Sequence, residues 1–178
     1  MHPSRLIPAL ALALAAQLAS ALPARAQAAD ASIAALRSNW RSVIENITAA
    51  ATELTESEYA YRPVATVRTF GELIGHIAGA QNLMCAAALG DPQPAEDAVE
   101  RAAKTKAALV AALKASTEYC AKAYAIGAAT GAMTAELFGQ PSTRVGALAL
   151  NAVHDGEHYG NIITYLRMMG KVPPSSRR

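Results

Sequence analysis

Apolar residues recur every three or four positions along most of this chain, and alternation at every second position is absent. Ile33, Leu36, Trp40, Val43, Ile44, Ile47 and Leu54 keep that spacing. It predicts a helix over about 31–56 with one inward stripe. The stretch "TESEYAYRPVATV" breaks the pattern. A second helix is predicted from about Thr69 to Leu89, because Thr69 and Glu72 stand at the spacing of a capping box. The prolines of "GDPQP" end it. A third is predicted from 94 or 95 to Tyr124 through Val99, Leu109, Val110, Leu113 and Tyr119. It is the most polar and Ala-rich of the set, so it should be the most exposed. "IGAATGAM" and "FGQPST" read as a loop, and a fourth helix follows from about Ser142 to Met169, stopped by Gly170 and "VPPSS". Four such helices predict an all-α protein built as a four-helix bundle.

The first 28 residues stand apart. Arg5 precedes an Ala/Leu-rich run from Leu6 to Leu22, and "ARA" and "AQA" offer small residues for cleavage. That is the pattern of a secretory signal, which makes residues 1–28 a leader and residues 29–178 the domain. The run is short of the roughly 20 apolar residues of a spanning helix and contains Pro8 and Gln17. The expected location is periplasmic or secreted, with no membrane anchor after cleavage. Of sixteen basic residues, Arg5 and Arg25 lie in the leader, which has no acid; fourteen remain against fourteen acids. A near-neutral domain lacks the clustered cations that nucleic acid demands, so no nucleic-acid partner is expected.

Cys85 and Cys120 are the two cysteines. If their helices form a hairpin turning near Pro92, they lie about 30 Å apart along the axis, far beyond the roughly 7 Å that a disulfide spans. Parallel helices would shrink that offset and make a bond conceivable in an oxidising compartment. Two buried free thiols are the expectation.

Three of the four histidines lie in the domain. At 100° per residue, His158 and Tyr165 fall about 40° and 20° from His154, and Leu150 about 40° to the other side. That stripe should face the interior, and His76 shares an inward stripe with Leu83 and Ala87 in the same way. Three buried imidazoles need partners, because an unpaired buried polar group costs about 1–3 kcal/mol. One divalent ion satisfies all three, and an i, i+4 pair can share it. His76, His154 and His158 are therefore the candidate metal ligands. Asp155 and Glu157 should flank the stripe, in supporting or surface positions. Tyr159 and Tyr165 are core residues or pocket walls. Gly156 costs about 1 kcal/mol in mid-helix and would admit a close neighbour or a ligand. The zinc-peptidase, di-iron and c-type haem patterns are absent.

"RPVATVRTFGELIGHIAGAQNLMCAAALG", followed far downstream by "HDGEHYGNIITYLRMMGKVPPSS", resembles the DinB-like family over roughly 33–176. The resemblance implies an up-down-down-up bundle whose second and third long helices run the same way. It implies one divalent ion, zinc or nickel, held by one histidine of the second helix and two of the fourth; His76, His154 and His158 fall on those positions. Asn161 stands where many relatives carry Gln. Some relatives transfer low-molecular-weight thiols and others are assigned as metal hydrolases. The export signal departs from the thiol-using members, whose cosubstrates are mainly cytosolic. The expected function is a metal-dependent hydrolase or group transferase acting on a small molecule, with a non-catalytic metal-binding protein as the alternative. A second copy of the chain, in a homodimer, is the expected macromolecular partner. The regions 59–68 and 125–143 should shape the pocket mouth.

Overall fold

The structure, a computed structural model, describes residues 7–177, with side chains described at Gln27 and from Asp30 onward. The elements are α1 (Ile7–Glu53), α2 (Phe70–Leu89), α3 (Ala98–Ala102), α4 (Lys106–Ala123), α5 (Ala128–Gly131), β1 (Thr134–Leu137), β2 (Gln140–Thr143) and α6 (Arg144–Met168). Four long helices, α1, α2, α4 and α6, form the bundle. The expected leader, apart from its helical backbone from Ile7, lies outside the described residues. Among those described, no helix is long and apolar enough to cross a membrane.

Contacts at different heights fix the helix directions. Gln81–Ser116 and Cys85–Cys120 are both separated by 35 residues, so α2 and α4 run parallel. Between α2 and α6 the separation falls along the pair, from 78 at His76–His154 to 74 at Gln81–Asp155 and 66 at Cys85–Asn151. Those two helices are antiparallel. Trp40 of α1 meets Asp155 in the middle of α6, and Glu53 at the end of α1 meets Arg177 beyond α6, so α1 and α6 point the same way. The order is up-down-down-up.

The parallel pairing overturns the expectation of two free thiols. Cys85 and Cys120 are disulfide-bonded, with Cα atoms 5.3 Å apart. A hairpin between their helices would have kept them apart; the crossover that reverses the chain between α2 and α4 brings equal heights together.

That crossover also divides the predicted third helix. Ala103 is extended, and Thr105 caps a fresh helix by accepting from the Ala108 N–H. The preceding segment lies directly on α2 at Gly75 and Gly79. A Cβ on Gly79 would stand 1.9 Å from the Glu96 carbonyl oxygen, and one on Gly75 2.9 Å from the Glu100 Cα. Only bare backbone allows that approach. The capping box at Thr69 and Glu72 is present in full. Before α6, where the periodicity reads as loop, the chain makes α5 and a hairpin. Residue pairs from Thr134↔Thr143 to Leu137↔Gln140 are joined by Phe138 and Gly139, both at positive φ. Strands of four residues are too short to imprint an alternating pattern.

The core draws on all four long helices. Trp40 stacks on Tyr124 with ring centroids 4.3 Å apart, and the Tyr124 hydroxyl reaches the Leu148 carbonyl at 2.8 Å and Asn151 Oδ1 at 3.0 Å. Helix α2 is buried nearly all round, which matches its apolar sequence. Gly170, at φ +73, ends α6 as expected, and the Lys171 N–H returns to the Leu166 carbonyl at 2.8 Å.

Candidate metal centre

The three histidines meet. His154 Nε2 lies 3.1 Å from His76 Nε2 and 3.0 Å from His158 Nε2. His76 comes from the middle of α2 and the pair from one face of α6, one turn apart. The interior face of α6 is not centred where the sequence places it. Its buried residues, Ala147, Leu148, Asn151, Asp155, His158, Tyr159, Ile162, Tyr165 and Leu166, centre about 80° round from His154. His154 therefore stands at the edge of the core. Leu150, expected inside, is 40% exposed. The histidines face a gap at the rim of the helix packing rather than its middle, which gives them access from outside.

Three ring nitrogens this close cannot satisfy one another as hydrogen bonds. A neutral imidazole nitrogen has one in-plane site, either a proton or a lone pair, so His154 Nε2 can serve one neighbour well and not two. If it accepts, the proton sits on Nδ1, and that buried Nδ1 has no hydrogen-bond partner. A shared cation removes the conflict, since every Nε2 then offers a lone pair inward. Nitrogens bound to one zinc at about 2.0–2.1 Å stand about 3.3 Å apart in a tetrahedral site, and the three candidate ligand atoms all lie within 4.8 Å of one another. The residues present fit the ion, and the group could hold one.

The electrostatics favour the ligand form. Burial, reinforced by the Arg68 charge and the neighbouring imidazoles, pushes His76 down to about 3. Burial and the His154 ring, with Arg68 behind them, push His158 down to about 4. Both rings are thus neutral near pH 7, as coordination requires.

A carboxylate or amide stands behind each ring. Glu100 Oε2, carried by α3, lies 3.9 Å from His76 Nδ1. Asp155 Oδ1 lies 3.9 Å from His154 Nδ1, and both atoms are buried without a hydrogen bond. The Asn161 amide reaches His158 Nδ1 at 3.2 Å. With Nε2 as the ligand atom, Nδ1 carries the proton, so the Asn161 carbonyl oxygen is the matching end of that amide. Asp155 is fully buried, and its other oxygen accepts from Trp40 Nε1 at 3.1 Å and Gln81 Nε2 at 2.9 Å. Burial raises its pKa against those donors. Gln81 in turn accepts from the Ser116 hydroxyl at 2.9 Å.

Sequence reading had placed Asp155 beside the histidine stripe. It missed Trp40 and Gln81 as its donors, and missed Glu100 entirely. The glycines at 71, 75 and 79 were the signal for Glu100, because a glycine row on an apolar helix marks where another backbone crosses. Glu157 is exposed, Tyr159 is a core residue whose hydroxyl accepts from the Ser175 N–H at 3.0 Å, and Tyr165 lines the opening. Among the described residues nothing comes within 4 Å of a Cβ built on Gly156, so no neighbouring helix closes on it.

The site opens on a cavity of about 620 Å³ whose wall includes His158, Asn161, Tyr165, Arg62, Arg68 and Glu100. The region 59–68 does border it, as expected; the hairpin of 134–143 does not.

The described architecture is similar to that of solved DinB-like proteins. One from Bacillus cereus matches with a TM-score of 0.67 at 16% identity, covering 78% of this chain and 93% of its own. One from Bacillus subtilis matches with 0.63 at 22% identity, covering 80% and 98%. A mycothiol-dependent maleylpyruvate isomerase matches with 0.59 at 16% identity, covering 77% of this chain and 67% of its own. At these identities the likeness speaks for the fold. A sequence comparison with curated proteins finds no match. The sequence model of the DinB superfamily matches residues 39–162, from α1 to within α6, and so takes in all three histidines. The chain belongs to the DinB superfamily.

Proposed function

We propose that this is an exported metal-dependent enzyme, a hydrolase or group transferase acting on a small molecule, with His76, His154 and His158 as ligands of one divalent ion, zinc or nickel. The observation that carries the reading is that His76 Nε2 and His158 Nε2 stand 3.1 and 3.0 Å from His154 Nε2, beside an open cavity. Three protein ligands and a cavity describe a catalytic rather than a closed structural site.

When bound, the ion supplies Lewis acidity at an open position, which activates a water or thiol nucleophile at neutral pH. The chain's own residues do the rest. Asn161 reaches the His158 Nδ1, and Glu100 and Asp155, each 3.9 Å from its ring's Nδ1, are the acceptors placed to take those protons and aim the rings once the ion is bound. Asp155 is itself aimed by Trp40 and Gln81. Val67, Leu73 and Tyr165 give the cavity part of its wall.

Export is supported by the leader pattern and by the Cys85–Cys120 disulfide, a bond that persists in oxidising compartments. Export also favours hydrolysis over transfer of a cytosolic thiol. The near-neutral domain supports a small-molecule partner over nucleic acid. The alternative is a metal-binding protein without turnover, favoured by the partial burial of all three rings. Zinc- and nickel-loaded protein assayed against ester, amide and thiol-conjugation substrates separates them. Turnover that disappears in His158→Ala supports the enzyme; a fully loaded protein that turns over nothing in all three classes supports the binder.

A further inference from the structure

The cavity beside His158 contains two guanidinium groups with different surroundings. Arg62 is spent on its own loop: Nη1 reaches the Ala65 and Val67 carbonyls at 3.5 Å, and Nη2 lies 3.6 Å from Glu72. Arg68 donates through Nε to Glu100 Oε1 at 3.0 Å. Among the described residues, no hydrogen bond engages either of its Nη groups. Its backbone is held as well, since the Tyr165 hydroxyl donates to its carbonyl at 2.8 Å. The other oxygen of the same Glu100 carboxylate stands 3.9 Å from His76 Nδ1. One carboxylate therefore ties this guanidinium to a histidine of the metal site and sets how far apart they stand.

We propose that the cavity binds a small molecule carrying a carboxylate, and that Arg68 is the residue that receives it. The proposal rests on the enzyme reading above and adds the substrate class. A guanidinium presents its donors as a rigid planar fork, and with Nε taken by Glu100 the unengaged Nη pair is the part that matches a carboxylate. Charge selects the kind of anion. Glu72 and Glu100 line the same cavity and offset the two arginines, so a phosphate dianion would meet two carboxylates, whereas a singly charged group meets one prepared donor pair. Ala65, Val67 and Leu73 give the organic remainder an apolar wall.

The test is calorimetric titration of the metal-loaded protein with acetate and benzoate, each compared with its neutral amide. The account expects both acids to bind, and each amide to bind at least about tenfold more weakly, as for a charge-assisted contact. Arg68→Met should remove that acid-over-amide preference while metal content and melting temperature hold; Arg68→Lys should keep part of it. Failure of the metal-loaded wild-type protein to bind either acid overturns the proposal. So does equal affinity for acid and amide, or a preference that survives in Arg68→Met, since the ion alone would then be the receptor. Wild-type protein that takes up no metal overturns the enzyme reading instead, a result read from metal content before any titration.

Discussion

Asp155 Oδ1 and His154 Nδ1 face each other at 3.9 Å on one helix, both buried and both without a hydrogen bond. Two complementary groups held just out of reach mark where the site tightens. A ligated His154 keeps its proton on Nδ1, and Asp155 is the acceptor placed for it.

Asp155→Ala should be costly. It leaves the buried Trp40 and Gln81 donors without an acceptor, each worth about 1–3 kcal/mol, so urea denaturation should show a loss of about 2–6 kcal/mol. Asp155→Asn keeps one acceptor oxygen and should lose about 1 kcal/mol or less. Its metal affinity should still fall about 10- to 100-fold, because a neutral amide holds the ring less firmly. Competition with a chromogenic chelator measures that second effect separately.

Two glycines should respond oppositely to alanine. Gly79→Ala drives a methyl into the Glu96 carbonyl and should cost about 1–3 kcal/mol. It should also raise hydrogen exchange in α3, which carries Glu100. Gly156→Ala meets nothing within 4 Å and should stabilise α6 by about 0.4–1 kcal/mol. Denaturation midpoints of the two variants decide the comparison.

The disulfide closes a separation of 35 residues. Loop-entropy reasoning assigns it about 3–4 kcal/mol. Replacing both cysteines with Ser should lower stability by up to that amount. Because both sulfurs are fully buried, reductant should act on the native protein only as fast as it opens. Exchange-limited reduction kinetics check this.

Acid should release the C-terminal segment before the core. Glu58 accepts from Lys171 Nζ at 2.8 Å and from the Thr55 N–H and hydroxyl, and the lysine contact above all lowers its pKa from 4.5 to about 2. Glu53, paired with Arg177, is lowered too. The sign follows from proton counting. Between about 4.5 and 2 the unfolded chain binds the extra proton, so these contacts help above pH 4.5 and fade as pH falls towards 2. The Glu53–Arg177 pair is exposed and the Glu58–Lys171 pair partly so, and salt should weaken the effect. Carboxyl NMR titration should find Glu58 near 2 at low salt and closer to 4.5 in Lys171→Met.

What was legible in the sequence was local. The capping box at Thr69, the stop at Gly170 and the i, i+4 pair His154–His158 depend on residues within one turn of one another, and the structure has all three. The inward stripe was half right, because helical spacing gives relative angles and not the direction of the core. His158 and Tyr165 proved buried while Leu150 proved exposed. The Cys85–Cys120 bond was missed because it depends on helix direction, which spacing alone does not carry. The family resemblance implied parallel second and third helices, and that implication already made the bond reachable. Glu100 and Arg68 were illegible for a similar reason. Their place beside His76 is set by a crossover resting on Gly75 and Gly79, a contact between segments with no shared period.

The central claim is that three imidazoles from two helices share one ion. X-ray absorption on zinc-loaded protein, purified without an affinity tag, tests it most directly. The account predicts one zinc per chain with three imidazole nitrogens at about 2.0–2.1 Å, and loss of that signature in His158→Ala. A chain that takes up no zinc, or a His158→Ala variant that keeps one ion with an unchanged spectrum, would contradict it.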